Sequence, residues 1–380
     1  MKQFATNGSF SVLIPDGESH YAVSVVRCLA EAKNIKTFVL SLDKNAPIRF
    51  SRYTTKFLYR LKGENKEEKL SAIIDAIKKT NADILLPIDV ETIRLIAEYK
   101  EKFLNLIAIA PIPEVNSFDI ADDKWLLALW LKENNISHPN TILFNSTNSI
   151  DEAISSITFP IIIKPRNGSG GNGIKIFKNA EELQSWYNKS DHSADIIIQS
   201  YIKGYDIDCS VLCFEGRILA HTIQKSLKYK TNYSWPFGLD FLDNDEIFNI
   251  VKKVVDKFKW SGVVHVDLRY DEVGRQAKLI EMNPRFWASV SASLFAGVNF
   301  PYLSCLSGLK RELPAMKAQN KRVVRSGPAI KMILKRLFTK RNDLFFDNTF
   351  LEFIIKDPLP NLFSECFETY NKYKKKINKM

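Results

Sequence analysis

Asp267 and Glu281 are the residues of this 380-residue chain whose types and spacing speak most directly of chemistry, with Asn283 and Arg285 following at once in the run LIEMNPRFW. The segment Val263 to Tyr270 is β-branched and alternating, Glu272 to Gln276 centres on Gly274, and Ala277 to Glu281 resumes an apolar pattern, so the stretch reads as two strands and a short turn. A turn symmetric about Gly274 sets Asp267 opposite Glu281. Carboxylates opposed on neighbouring strands have Cβ atoms roughly 5 Å apart and repel unless a cation sits among them. Asn283 returns to the face of Glu281 by the strand period, and a hard cation such as Mg²⁺ takes such oxygen ligands while keeping positions for water and phosphates. The competing reading is a solvated hairpin whose acids face water.

A second constellation weighs against that competitor. Phe159 to Pro165 is a buried-looking strand that carries Lys164, and Asn167-Gly168-Ser169-Gly170-Gly171-Asn172-Gly173 follows it. Backbone N–H groups of a glycine-rich loop approach phosphate oxygens closely because no Cβ intervenes. Gly168 to Gly173 matches G-x-G-x-x-G, but the dinucleotide fingerprint needs a helix to follow, and Ile174 to Phe177 reads as a strand. A strand-loop-strand flap over phosphates is the better reading, with a functionless glycine hairpin as its rival. A nicotinamide or flavin oxidoreductase using residues 168–173 is the alternative from another class.

This order of elements resembles the ATP-grasp ligases over about residues 120–305, and within them GVVHVDLRY with LIEMNPRFWAS is most similar to the carbamoyl-phosphate-synthase-like, carboxylate-amine ligase members. The resemblance implies ATP and two Mg²⁺ ions, with Mn²⁺ an acceptable substitute. It implies phosphate-binding roles for Lys124, which could equally be an exposed helix-start lysine, and for Lys164, Gly168, Ser169, Gly170 and Gly171. Ile196 to Gly204 is similar to the adenine-reading hinge. Gln199 and Ser200 stand where an acidic residue is frequent in the family, and backbone contacts are expected at Tyr201 and Ile202. Asp206 falls where a ribose-binding acid is usual, with Asp208 as fallback, and both could be ordinary surface acids. Lys225 falls where a further phosphate-binding cation is found, with Lys228 and Lys230 close enough to compete.

The chemistry these residues suit is carboxylate activation. Asp267, Glu281 and Asn283 would hold the metal ions, the lysines would align the triphosphate, and a substrate carboxylate would become an acylphosphate that an amine attacks. Arg285 suits charge on the acylphosphate or tetrahedral oxyanion, since its planar fork binds such oxygens in pairs. His265 is the candidate general base, against the bland reading of an ordinary core or surface histidine. The partners expected are a small carboxylate and a small amine, with no nucleic acid, and a homodimer is compatible with this reading. A non-catalytic ATP-grasp shell acting through a basic tail is the third alternative.

Elements that position these groups follow from periodicity. Strands at Ser9 to Pro15, Thr37 to Leu42 and Asp83 to Pro87 alternate with helices at Tyr21 to Asn34, Lys66 to Thr80 and Val90 to Phe103, which predicts a doubly wound parallel α/β domain before the α+β ATP-grasp fold. The loop around Asp16 to Ser19 lies where such a sheet opens a ligand crevice. The divisions expected are 1–113, 114–305 with a flap at about 155–200, and a basic extension 306–380. Segments Tyr229 to Phe241 and Ser289 to Phe295 are the candidate substrate-pocket stretches.

Composition excludes several classes. Hydrophobic residues make up 45% of the chain without an apolar run of 18, so no spanning helix is expected. Residues 1–11 lack a signal-peptide pattern, and five scattered cysteines, Cys28, Cys209, Cys213, Cys305 and Cys366, show no metal spacing, which suits the cytoplasm. Residues 310–380 hold 17 Lys and Arg against 7 Asp and Glu, nearly the whole net charge of +11. Ile330, Ile333, Leu334 and Leu337 at helical spacing, beside Lys331, Lys335, Arg336 and Lys340, read as a basic amphipathic helix. Such a helix packs its apolar stripe on the enzyme, contacts an anionic membrane peripherally through residues 330–341, or binds a nucleic acid backbone, with packing the commonest of the three.

Overall fold

The computed structural model describes residues 8–61, 65–144, 150–168, 173–189, 195–227, 236–330 and 348–377. Its strands form three sheets in chain order. The first comprises β1 (Phe10–Ile14), β2 (Ile35–Ser41), β3 (Thr54–Tyr59), β4 (Ile84–Leu85) and β5 (Ala108–Ile109), all parallel in the order β3-β2-β1-β4-β5. Side chains of β1 alternate between two cores: Val12 and Ile14 pack with α1 (Ala22–Ala30), while Leu13 packs with α2 (Lys66–Thr80) and α3 (Val90–Glu98). Helices therefore cover both faces, the doubly wound arrangement that the alternating pattern predicts. The helix expected to run to Asn34 stops at Ala30, because Lys33 and Asn34 turn into left-handed conformations. The edge strand β3 was not legible in the sequence because its half-exposed residues carry no clean apolar alternation.

Beyond the first sheet come α4 (Val115–Asp122) and α5 (Lys124–Glu133), then a small antiparallel sheet. It comprises β6 (Thr141–Phe144), β7 (Ile161–Pro165), β8 (Lys175–Phe177) and β9 (Ile196–Ser200), ordered β6-β9-β7-β8, with α6 (Ile150–Ser155) and α7 (Ala180–Tyr187) alongside. The glycine loop joins β7 to β8 as an antiparallel pair, so no helix follows it and the dinucleotide-binding alternative loses its structural requirement. Ser169, Gly170 and Gly171 lie outside the described residues, as do Lys228, Lys230, residues 229–235 of one substrate-pocket stretch, and residues 331–347, which hold most of the basic amphipathic segment.

The third sheet is antiparallel and six-stranded: β10 (Gly204–Phe214), β11 (Arg217–Leu227), β12 (Gly238–Phe241), β13 (Gly262–Asp271), β14 (Gln276–Asn283) and β15 (Lys321–Val324), ordered β14-β13-β10-β11-β12-β15. Its inner face packs on α5 and α8 (Asp245–Phe258), where Trp130 stacks on Phe258 at 3.8 Å between ring centroids. The remaining helices are α9 (Val290–Phe295), α10 (Phe300–Gly308), α11 (Leu351–Lys356) and α12 (Leu359–Ile377). Phe286, Trp287, Val290, Phe300 and Leu303 share one core with β1 and α1, which locks the third sheet to the first. Asp357, after α11, is almost fully buried and accepts hydrogen bonds from Arg27, Ser51 Oγ and the Arg52 N–H, so the C-terminal segment is clasped onto the first sheet. Among the described residues no helix is long and apolar enough to cross a membrane.

Candidate functional site

Strands β13 and β14 pair His265 with Asn283 and Asp267 with Glu281. That pairing depends on a bulge. From Leu268 outward the hairpin is in register Leu268 with Leu279, which would have carried Asp267 to Ile280; Ile280 is instead the extra, unpaired residue on β14, and Glu281 comes opposite Asp267. Bulges of this kind re-aim side chains at sites. On the other side of β13, β10 sets Asp208 against Asp267 and Ser210 against His265. One open face therefore carries Asp208, Asp267, Glu281, His265 and Asn283.

Hydrogen bonds fix this face. Asn283 Nδ2 donates to Asp267 Oδ2 at 3.0 Å, while Asn283 Oδ1 accepts from Arg285 Nη2 at 2.8 Å. The amide oxygen expected to ligate a metal is thus turned to Arg285, and Asn283 acts as the strut between Arg285 and Asp267. Arg285 also donates to the Phe286 carbonyl at 2.9 Å and lies over the Tyr21 ring, 4.9 Å from its centroid. His265 contacts Asp267 Oδ1 through Nε2 at 3.1 Å and Ser210 Oγ through Nδ1 at 2.8 Å, so the candidate base is committed within the face. Burial and then the neighbouring Asp267 raise the Glu281 carboxyl above its usual range, and the same two causes push Asp208 up to about 8. Burial alone would lower the His265 imidazole, but Asp267 outweighs it and the net direction is up.

Two lysines approach from other elements. Lys124, at the start of α5, is held where Asp123 caps the helix by accepting from the Trp125 and Leu126 N–H groups. Its Nζ lies 3.7 Å from Glu281 Oε1 and donates to the Gly168 carbonyl at 2.6 Å. Gly168 needs no side chain at its φ of +113°, where a Cβ would be strained. Lys164, only 5% exposed, is brought down to about 8 by burial, with Glu281 pulling the other way. Arg166, two residues on and not singled out by the sequence, ties Asp123 at 2.7 Å to Asp195 at 2.9 Å. A carboxylate pair with lysines beside it is a donor set that fits a hard divalent cation bound together with phosphate.

At the hinge, Gln199 donates to Thr141 Oγ1 at 2.9 Å. The Ser200 N–H donates to the Asn140 carbonyl and the Tyr201 N–H to the Pro160 carbonyl, so both are used within the fold. Asp206 was expected at the ribose, yet it forms an ion pair with Arg269, whose guanidinium also donates to the carbonyls of Ile202, at 2.8 Å, and Gly204, at 2.7 Å. Arg269 escaped sequence reading; its signal was its place two residues after Asp267, hence on the same strand face. Gly204 is required because a Cβ there would run into the Tyr270 carbonyl. Lys225 is a correction. It pairs with Ile207 rather than Asp208, so alternation sends it to the opposite face of the sheet, where Nζ sits 3.5 Å from the Tyr205 ring centroid.

A cavity of about 650 Å³ opens between this face and the first sheet. Gly168, Glu281, Asn283 and Arg285 form one wall; Asp16, Tyr21, Asp43, Asp89 and Glu91 are on the other, with Asp122 and Lys69 at the sides. These first-sheet residues follow the carboxyl ends of β1, β2 and β4, and β1 and β4 flank the point where strand order reverses. Asp16, 2% exposed, accepts from the Ile88 N–H at 2.8 Å, and burial lifts its carboxyl to about 7. His265 is not among the residues lining this cavity.

A carboxylate and lysine face, the antiparallel pair β7 and β8, and a crevice opening toward the first sheet make up the candidate site. Residues 121–289 match the model of the ATP-grasp domain. The chain is similar to the carbamoyl phosphate synthase large chain of Helicobacter pylori, 28% identical over 183 residues, covering 44% of this chain and 16% of that one. It is likewise 28% identical over 170 residues to the D-alanine–D-alanine ligase B of Clostridium perfringens, covering 42% of this chain and 56% of the ligase. The chain thus spans about one sixth of the first relative and just over half of the second. The structure of N5-carboxyaminoimidazole synthetase from Staphylococcus aureus with ADP superposes with a TM-score of 0.67 at 17% identity, over 90% of this chain and 88% of that one, and so shares its fold.

Proposed function

We propose that the chain is an ATP-dependent, ADP-forming ligase that activates a small carboxylate as an acylphosphate and joins it to an amine. The observation that carries this reading is the position of Glu281 and Arg285, which belong at once to the phosphate face and to the wall of the cavity. A substrate carboxylate held in that cavity by Arg285 lies beside the place where Lys124 and Lys164 direct a terminal phosphate. The ATP-grasp domain and the ligase names among its relatives support it.

Asp267 and Glu281 would hold the metal; when bound, Mg²⁺ neutralises charge on the phosphates. The chain's own residues do the rest. Lys124 and Lys164 orient the phosphate, the flap excludes water, and Arg285, steadied by Asn283 and Tyr21, stabilises the oxyanion formed when the amine attacks. The ammonium form of that amine first gives a proton to a wall carboxylate such as Asp16; the free amine then forms the C–N bond, expels inorganic phosphate and releases its second proton to the departing phosphate or solvent. Acids on the far wall, Asp16, Asp43 and Asp89, suit an amine that arrives as an ammonium ion. The division we propose is 1–113 for the crevice wall, 114–305 for the ATP-grasp part with its flap, and 306–380 for the basic extension.

The test is a phosphate-release screen over pairs of amino acids and small carboxylates, with products identified. ADP and phosphate with one pair, lost in Glu281→Gln, is expected; AMP and pyrophosphate, or turnover without an amine, would overturn the reading.

A further inference from the structure

Asp208, His265 and Asp267 each offer a ligand atom, and the three atoms lie within 4.8 Å of one another. Two of these groups are carboxylates opposed across the β10 and β13 register, an arrangement that is unfavourable without a positive partner. Of the neighbouring cationic groups, Arg285 is committed to Asn283 and the Phe286 carbonyl and Arg269 to Asp206 and the hinge, while Lys164 divides its charge between Glu281 and Asp267. Asp208, 8% exposed, receives from Gln224 a hydrogen bond of 3.5 Å, at the limit of such contacts.

The imidazole is held as a ligand would be. It stacks on Trp287 at 5.5 Å with an interplanar angle of 14°, and Ser210 Oγ meets Nδ1, so Nε2 is left directed toward Asp267. A partner on the far ring nitrogen is the feature that fixes tautomer and orientation in metal-binding histidines. Asp267 is steadied from its other oxygen by Asn283.

We propose that Asp208, His265 and Asp267 form a second cation site, beside the nucleotide metal face and sharing Asp267 with it, that takes a divalent transition ion such as Mn²⁺ in preference to Mg²⁺. The selectivity follows from the donor set. Mg²⁺ and Ca²⁺ are bound through oxygen, whereas one imidazole among carboxylates favours the transition series. Around an ion bound at about 2.1 Å, adjacent ligand atoms stand about 3 Å apart and opposite ones about 4.2 Å, so three atoms already within 4.8 Å of one another close on an ion by side-chain rotation. The site requires no nucleotide, although it shares Asp267 with the metal face of the ligase reading.

Its test is Mn²⁺ titration of the metal-free chain without nucleotide, followed by electron paramagnetic resonance. One bound Mn²⁺ that survives tenfold excess Mg²⁺ and shows ¹⁴N modulation from imidazole in the spin echo is expected. His265→Gln should lose the ¹⁴N signal and weaken Mn²⁺ at least tenfold, and Asp208→Asn should weaken it similarly while keeping the signal. Glu281→Gln, which strikes the nucleotide metal face alone, should leave both readouts unchanged, separating failure of this site from failure of the ligase reading. Absence of ¹⁴N modulation in the parent chain, displacement by equimolar Mg²⁺, or unaltered Mn²⁺ affinity in His265→Gln would overturn the proposal.

Discussion

The third sheet and the flap sheet meet at one site but are built on opposite plans. Asp208, Asp267 and Glu281 stand on strands of 11, 10 and 8 residues whose inner sides pack into a core of more than twenty buried residues. Lys164 stands on a five-residue strand whose sheet closes on its own core of eight, from Phe144 to Ile198, which shares none of these residues with the larger one. The flap is therefore joined to the face through polar contacts: Lys124 to the Gly168 carbonyl and Arg166 to Asp123. Polar contacts break and reform at little net cost, whereas parting a shared apolar core does not. The proposed metal ligands sit where the fold is stiff and the proposed phosphate-covering groups where it can open.

This contrast can be broken most severely at Glu281. Glu281→Gln should reduce ADP formation about 10³-fold, as loss of a transition-state charge group does, while its unfolding midpoint stays level or rises because a half-buried carboxylate, raised by desolvation and then by Asp267, is removed. A collapsed midpoint would show that the acid is structural.

Lys164→Met tests the flap side, with a fall of about 10² in turnover. It also has a pH signature. The unfolded lysine keeps its proton to its ordinary value near 10.5, the folded one to about 8, so between these values the unfolded state binds more protons and stability must rise with pH. The slope approaches about 1.4 kcal/mol per pH unit and should vanish in Lys164→Met when thermal unfolding is followed from pH 8 to 10.5.

Arg166→Ala loosens only the seam. We expect a KM for ATP raised about fivefold with kcat nearly kept, the pattern of lost uniform binding; a kcat effect larger than the KM effect would mean that the flap positions the reacting phosphate. The smallest change is expected at Lys225, on the far face of the sheet. Lys225→Ala should alter turnover less than twofold and remove a cation–π contact worth about 0.5–1 kcal/mol in unfolding experiments.

Much of this site was legible as period and order. Alternation placed Glu281 and Asn283 on one face, and Ile174 to Phe177 read as the strand that follows the glycine loop. The opposition of Asp267 and Glu281 was reached by two errors that cancel: the turn is not centred on Gly274, and a bulge restores the partner that a centred turn would have given. Lys225 failed for the same reason in reverse, since which face it takes depends on its pairing with Ile207, one residue from Asp208. The partner of the Tyr201 N–H at the expected hinge, the Pro160 carbonyl, belongs to a segment 41 residues away and was not legible in the sequence.

The sequence by itself determined the doubly wound first sheet, the order of lysine, flap and carboxylates, and the basic weight of residues 310–380, since these rest on local period and residue type. Only the tertiary structure decided which oxygen of Asn283 faces what, that Arg269 holds the hinge, that His265 joins two carboxylates, and that Asp16, Tyr21 and Asp89 close a cavity with Arg285. Those facts are set by strand register and by the packing of α1, α9 and α10 between distant sheets, and a one-residue slip in register sends a side chain to the other face.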